Sequence, residues 1–153
     1  MNNKLSPRRS DSFFTLGYQH HSPASLWHVL AKNGVTVLID VRQNPISRKP
    51  GFSKHSLEER SARIGIKYLH LPCLGTPPAI RKLYCRSGNV ERALQKYEQF
   101  LQWRIGCLDS LIRIATSNHC CLLCLESDYT SCHRSVIASR LTEMTGWRSV
   151  HLT

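Results

Sequence analysis

The feature that most constrains this sequence is one run, Cys120-Cys121-Leu122-Leu123-Cys124-Leu125, apolar without interruption. Such a run reads as a strand buried on both faces of a sheet. Polar turn residues follow it, and Ser131 is placed to cap a helix from about Cys132 towards Gly146. Strand, loop and helix start therefore bring Glu126, Cys132, His133 and Arg134 to one end of a sheet. The unpaired N–H groups and partial positive charge of a helix start suit an anion at that end.

The rest of the chain repeats the alternation. Phe13 to Leu16 reads as a strand ended by Gly17, and Ser22-Pro23 opens a helix with Leu26, Val29 and Leu30 on its buried face. Val35 to Arg42 is a second strand, followed by a loop rich in Pro and Gly that carries Arg48, Lys49 and Lys54. Ser56-Leu57-Glu58-Glu59 has capping-box spacing and predicts a helix stopping near Gly65. Lys67 to Leu71 is a third strand, and Leu74-Gly75-Thr76-Pro77-Pro78 reads as loop. From Asn89 a helical stripe runs from Val90 to Ala115, with Gly106 a point where it can kink or divide. Ile137, Leu141 and Met144 give the last helix an inward face, Ser149 to Leu152 can add an edge strand, and Trp27 and Trp103 read as core.

Strands alternating with helices predict a three-layer α/β sandwich: a mostly parallel sheet of four or five strands, covered by helices on both faces. Residues 1–12 are expected to form a flexible arm and residues 13–153 a single domain. No internal repeat or low-complexity tract is visible. Ligands bind beyond the carboxyl ends of the strands in such sheets. Tyr18, Asp40 with Arg42, Gly75 and Glu126 all fall just past four of those ends. Residues placed for solubility alone would not favour that one edge.

Composition narrows the class. The formal net charge of +11 favours encounters with phosphates, either a small anionic compound or nucleic acid. The apolar runs are too short to cross a bilayer, and Met1 to Ser12 carries no leader pattern. A cytoplasmic protein without membrane association is expected. Seven cysteines, two of them adjacent, make a poor disulfide framework, so mostly free thiols are expected.

Several separated motifs together resemble the domain-of-unknown-function 488 family. They are Thr15-Leu16-Gly17-Tyr18, Leu38 to Arg42, Asn44-Pro45 with Ser47 to Phe52, His70-Leu71-Pro72 with Leu74-Gly75, and Leu122 to Glu126 with Cys132-His133-Arg134. The resemblance spans about residues 13–153 and implies a compact single α/β domain, with no established activity attached. Tyr129 departs from it, since a proline commonly follows the Asp there. The chain is also richer in cysteine than the family typically is.

Candidate roles follow from residue chemistry. Cys132, beside His133 and Arg134 at a helix start, sits where a thiolate is favoured and a nucleophile is one reading; packing is the other. The phosphatase loop requires Arg six residues after its Cys, and Ala138 stands there instead. Asp40 and Glu126 end neighbouring strands and could divide acid and base roles, or hold Arg42, Arg48 or Arg134 in structural ion pairs. Arg42, Arg48, Lys49 and Lys54 form a basic loop suited to anion binding, with Arg48, between Ser47 and a Pro-Gly turn, the strongest candidate. Tyr18, Arg42, Arg48, Lys54, His133 and Arg134 are the expected binding residues. No metal site is expected, because Cys121 and Cys124 point to opposite faces of a strand, and no cofactor is expected.

Two functions remain open from sequence. One is a hydrolase or transferase acting on a phosphorylated or otherwise anionic small molecule. The other is a nucleic-acid-binding module in which Tyr18, Tyr84 or Phe52 stacks bases.

Overall fold

The computed structural model describes residues 11–153. Its strands are β1 (Ser12–Gly17), β2 (Val37–Asp40), β3 (Lys67–His70), β4 (Cys120–Cys124) and β5 (Arg148–Leu152). All pair in parallel, in the order β3-β2-β4-β1-β5, so the most apolar strand is central. The helices are α1 (Pro23–Lys32), α2 (Lys54–Ile64), α3 (Pro78–Ser87), α4 (Val90–Leu101), α5 (Ile105–Thr116) and α6 (His133–Thr145).

Strand alternation divides β4 between two cores. Cys121 and Leu123 pack with Leu26, Trp27 and Leu30 of α1 and Leu57 of α2. Cys120, Leu122 and Cys124 pack with Tyr97 of α4, Leu108 and Leu111 of α5, and Ile137 and Leu141 of α6. Helices thus cover both faces, which gives the expected three-layer α/β arrangement. Each fully buried Leu or Ile contributes about 1.5–3 kcal/mol, so both faces hold the sheet. Among the described residues no helix is long and apolar enough to cross a membrane.

Local chemistry sets the element ends. Ser22 and Ser25 cap α1 reciprocally, with Pro23 at its first position. Ser53, not Ser56, precedes α2, and Ser53 makes no side-chain cap. Its hydroxyl instead closes the preceding loop, accepting from Ser47 N at 3.0 Å and donating to Ser47 O at 3.2 Å. Cys132, not Ser131, caps α6, its sulfur accepting from Arg134 N.

Other expectations need correcting. The long stripe divides at a 3-10 turn, Gln102–Arg104, so Trp103 is 86% exposed rather than core. Met144 is also exposed. Pro77 and Pro78 do not continue a loop: Pro78 starts α3, where a missing N–H costs nothing. No residue of α3 is fully buried; its stripe is the half-buried Ile80, Leu83 and Tyr84, too short to stand out in the sequence. The expected arm falls largely outside the described residues, and Ser12 already belongs to β1. Cys73 pairs with Cys107 across 34 residues, a closure that spacing could not show; the other five cysteines are free.

Chain direction creates a crevice beside β4. β1 and β2 lead into α1 and α2 on one face, whereas β4, which lies between them, leads into α6 on the other. Connections departing to opposite faces leave a gap at the carboxyl end of the central strand, where open α/β sheets bind ligands.

Candidate functional site

That crevice holds a cavity of about 250 Å³, walled by Tyr18, Arg42, Arg81, Tyr84, Cys124, Glu126 and His133, with Gln43, Asn44 and Thr76 also lining it. Three strand ends, the start of α6 and the exposed helix α3 therefore meet here.

Asp40 and Arg42 are both present but engaged with each other. Asp40 is wholly buried, and its carboxylate takes Arg42 Nε at 2.8 Å and Nη2 at 2.6 Å, while Tyr68 donates to it at 2.6 Å. Arg42 Nη1 donates onward to the Tyr18 hydroxyl at 3.0 Å. Burial would depress Arg42, but the Asp40 carboxylate outweighs it and holds the guanidinium charged. Asp40 is thus the structural ion-pair partner of Arg42, and it shares no site with Glu126. Tyr18 stacks on Phe52, ring centroids 4.6 Å apart, and Phe52 is fully buried.

The second cluster is sulfur-centred. Cys132 Sγ accepts from Arg134 N at 3.5 Å and from Arg134 Nε at 3.3 Å, and lies 3.7 Å from His133 Nδ1. Arg134 is 1% exposed; its other groups donate to the Glu126 carbonyl and to Thr15 Oγ1 at 3.2 Å. A guanidinium does not deprotonate, and among the described residues no carboxylate forms an ion pair with this one. The side-chain acceptor facing it that can carry negative charge is the Cys132 sulfur. Burial alone would raise the Cys132 thiol, yet a hydrogen bond from Cys124, together with His133 and Arg134, holds it well below the usual thiol value. His133 moves the opposite way: burial would lower it, but the negative sulfur of Cys132 pushes it up.

Two further groups face this sulfur. Cys124 has one S–H and two acceptors, the Cys132 sulfur and Glu126 Oε2 at 3.2 Å. The bond to Cys132, then burial, drives its thiol well above the usual value. Glu126 is pushed up by burial first and by the charge of Cys132 second, the direction expected of a carboxyl that donates a proton. Tyr84 carries a buried hydroxyl with no hydrogen-bond partner among the described residues. Burial and the negative charges of Cys132, Glu126 and Cys124 raise it.

Gly17 makes the close approach possible. A Cβ there would collide with the Glu126 carbonyl and meet Arg134 Nη2 at 2.9 Å. Only a residue without a side chain lets the ends of β1 and β4 and the Arg134 side chain share this space.

The basic loop is placed differently from expectation. Arg48 is exposed, forms no hydrogen bond or ion pair, and does not line the cavity. Its neighbour Lys49 is the anchored cation, with Nζ on Tyr18 O at 3.3 Å and Gln19 O at 2.8 Å. Lys54 lies on exposed helix surface, 3.9 Å from Glu58. Arg81 and Cys124 are among the lining residues that sequence reasoning left out, and Tyr84 was considered only as a base-stacking residue. Arg81 and Tyr84 stand on α3, a helix the sequence reading passed over. Cys121 and Cys124 do pack on opposite faces, yet Cys124 converges with Cys132 and His133, their donor atoms all within 4.8 Å of one another.

Fold and site together define a parallel α/β domain with a polar pocket at the carboxyl edge of its central strand. The chain belongs to the family described as Domain of unknown function DUF488, whose model matches residues 23–141. That span includes every group of the sulfur cluster; Gly17 and Tyr18 precede it. No curated protein and no solved structure matches the chain.

Proposed function

We propose that this protein binds a small phosphorylated or otherwise anionic compound in the strand-end pocket and acts on it as a hydrolase or transferase. The observation that carries this reading is the cavity itself. Its wall holds two guanidinium side chains, Arg42 and Arg81, together with Glu126, a carboxyl group raised towards its protonated form. Arg42 is preoriented by Asp40, and Arg81 is exposed and able to close on a ligand. Glu126 would carry the proton, and water within the pocket would be the attacking group, since Cys132 is itself buried and outside the lining. A volume of about 250 Å³ suits a compact ligand.

The nucleic-acid reading is less well supported. Phe52 and Tyr18 stack on each other and are both buried, so neither makes an open stacking platform.

The test is melting temperature against phosphate, nucleotides, sugar phosphates and a short oligonucleotide at fixed ionic strength. A ligand at 100 times its Kd stabilises the folded chain by about 2.7 kcal/mol. A small anion is expected to raise the melt, and Arg81→Ala, a surface change, is expected to remove that rise while leaving the unliganded melt in place. An unchanged affinity in Arg81→Ala would falsify the proposal, as would a rise seen only with the oligonucleotide.

A further inference from the structure

We propose that Cys124, Cys132 and His133 form a binding site for a zinc-class divalent metal ion, with three protein ligands and a fourth position open to the pocket. This site stands on its own geometry and does not depend on the anion reading.

Convergence is the first observation. His133 Nδ1 lies 3.8 Å from Cys124 Sγ and 3.7 Å from Cys132 Sγ. Tetrahedral zinc, with Zn–S of about 2.3 Å and Zn–N of about 2.0–2.1 Å, sets its sulfur and nitrogen ligands roughly 3.5 Å apart. Both sulfur-to-nitrogen separations therefore lie within a few tenths of an ångström of the bound geometry, and the two sulfurs are within 4.8 Å of each other. Two thiolates and an imidazole are also the donor types that suit zinc over magnesium or calcium.

The second observation is the orientation of the imidazole. Its far nitrogen, Nε2, sits 3.0 Å from the Val41 carbonyl, which can only accept a hydrogen bond. Nε2 therefore carries the hydrogen, and Nδ1 is the atom turned towards both sulfurs. A ring nitrogen bonded to a backbone carbonyl while the other faces the donor set is the usual outer support of a metal-bound histidine. The sulfur charge is met in the same way: Arg134 Nε and Arg134 N both donate to Cys132.

The third observation locates the open position. The Tyr84 hydroxyl is buried without a partner in the same pocket, and Glu126 Oε2 is 3.2 Å from Cys124 Sγ. A water bound in this cavity could give that hydroxyl the partner it lacks. A disulfide between Cys124 and Cys132 would instead leave Tyr84 unsatisfied and His133 Nδ1 facing nothing that donates or binds. Sequence reasoning excluded a metal by comparing Cys121 with Cys124. The relevant partner of Cys124 lies across the loop, at the cap of α6.

The test uses the full chain, reduced and stripped with a chelator, then titrated with Co²⁺. A sulfur-to-cobalt charge-transfer band and tetrahedral ligand-field bands are expected, saturating at one ion per chain and displaced by Zn²⁺. Cys124→Ser and His133→Gln should lose saturable binding while circular dichroism shows an intact fold. Cys85→Ser, which removes an exposed thiol lining the same cavity, should bind as the wild type does. Glu126→Ala should keep the stoichiometry, and loss of binding there would overturn the open fourth position. Absence of the charge-transfer band in the reduced wild type, or its persistence in Cys124→Ser, would overturn the site. A chain that takes up Co²⁺ but melts identically with every anion would defeat the anion proposal and leave the metal site standing.

Discussion

Two buried arginines, each two residues beyond the group that anchors it, solve the same electrostatic problem in different ways. Arg42 follows Asp40 at the end of β2, and Arg134 follows Cys132 at the start of α6. Their side chains are 6% and 1% exposed, so neither charge is left to solvent. Arg42 meets a carboxylate at two points, and Tyr18 and Tyr68 complete the hydrogen bonding on either side. Arg134 meets only a sulfur, a backbone carbonyl and a hydroxyl. A carboxylate is charged at neutral pH without help, so the first pair is a closed structural unit. A thiol is not, and the hydrogen bond from Cys124, His133 and then Arg134 together hold the buried Cys132 thiol well below its usual value. The contrast separates the residues that build the site from those that can react in it.

The largest effect should come from breaking the closed unit. Asp40→Ala leaves Arg42 buried without its counter-charge and should destabilise the chain by about 3–5 kcal/mol in denaturant unfolding. A loss below about 1 kcal/mol would mean that water reaches Arg42 and that the pair is not closed. Gly17→Ala comes next, with about 1–3 kcal/mol expected from overpacking against the Glu126 carbonyl. Because that carbonyl also receives Arg134, the variant should disturb the sulfur cluster and leave the Asp40 pair intact.

A spectroscopic measurement sharpens the other half of the contrast. In metal-free protein one thiolate absorbance should survive as the pH falls well below the ordinary thiol value of about 8.5. It should vanish in Cys132→Ser and persist in Cys121→Ser, whose thiol is raised by burial. A single transition near the ordinary value in the wild type would remove the thiolate. The smallest effect concerns Tyr84. Tyr84→Phe deletes an unsatisfied buried oxygen, so stability should stay level or rise by up to about 1–3 kcal/mol, while ligand or metal binding weakens. A stability loss there would show that the hydroxyl has a structural partner after all.

Much of the frame was legible because it rests on period and punctuation. The strands, the Ser22-Pro23 helix start and the stop at Gly65 come from local rules that the fold obeys. The gathering of Glu126, Cys132, His133 and Arg134 was legible too, since a strand, a short loop and a helix start leave little freedom. What escaped depends on distance through space. The partner of His133 is Val41, 92 residues earlier, and no spacing announces it. Arg48 looked held by its Pro-Gly turn, yet the turn directs it outward, and Lys49 is the residue tied to Tyr18 and Gln19. Trp103 was read as core although it lies off the stripe that runs through Leu101 and Ile105, and the 3-10 turn leaves it in solvent. Arg81 and Tyr84 were hidden for a different reason. Their helix is short and follows a Pro-Pro pair, and its stripe is only Ile80, Leu83 and Tyr84, each half-buried, so it was passed over between Pro78 and Gly88.

The bond from the His133 ring to the Val41 carbonyl ties the two regions together. Val41 is the residue between Asp40 and Arg42, so the imidazole leans on a peptide clamped from both sides by the ion pair. A ring so braced has given up its rotational freedom during folding, before any ion or ligand arrives. Capture then begins from an ordered state, and the entropy loss that accompanies ordering a side chain is not charged against affinity. Loosening Asp40 should therefore be felt at sulfur as a weaker grip, even though Asp40 touches neither cysteine.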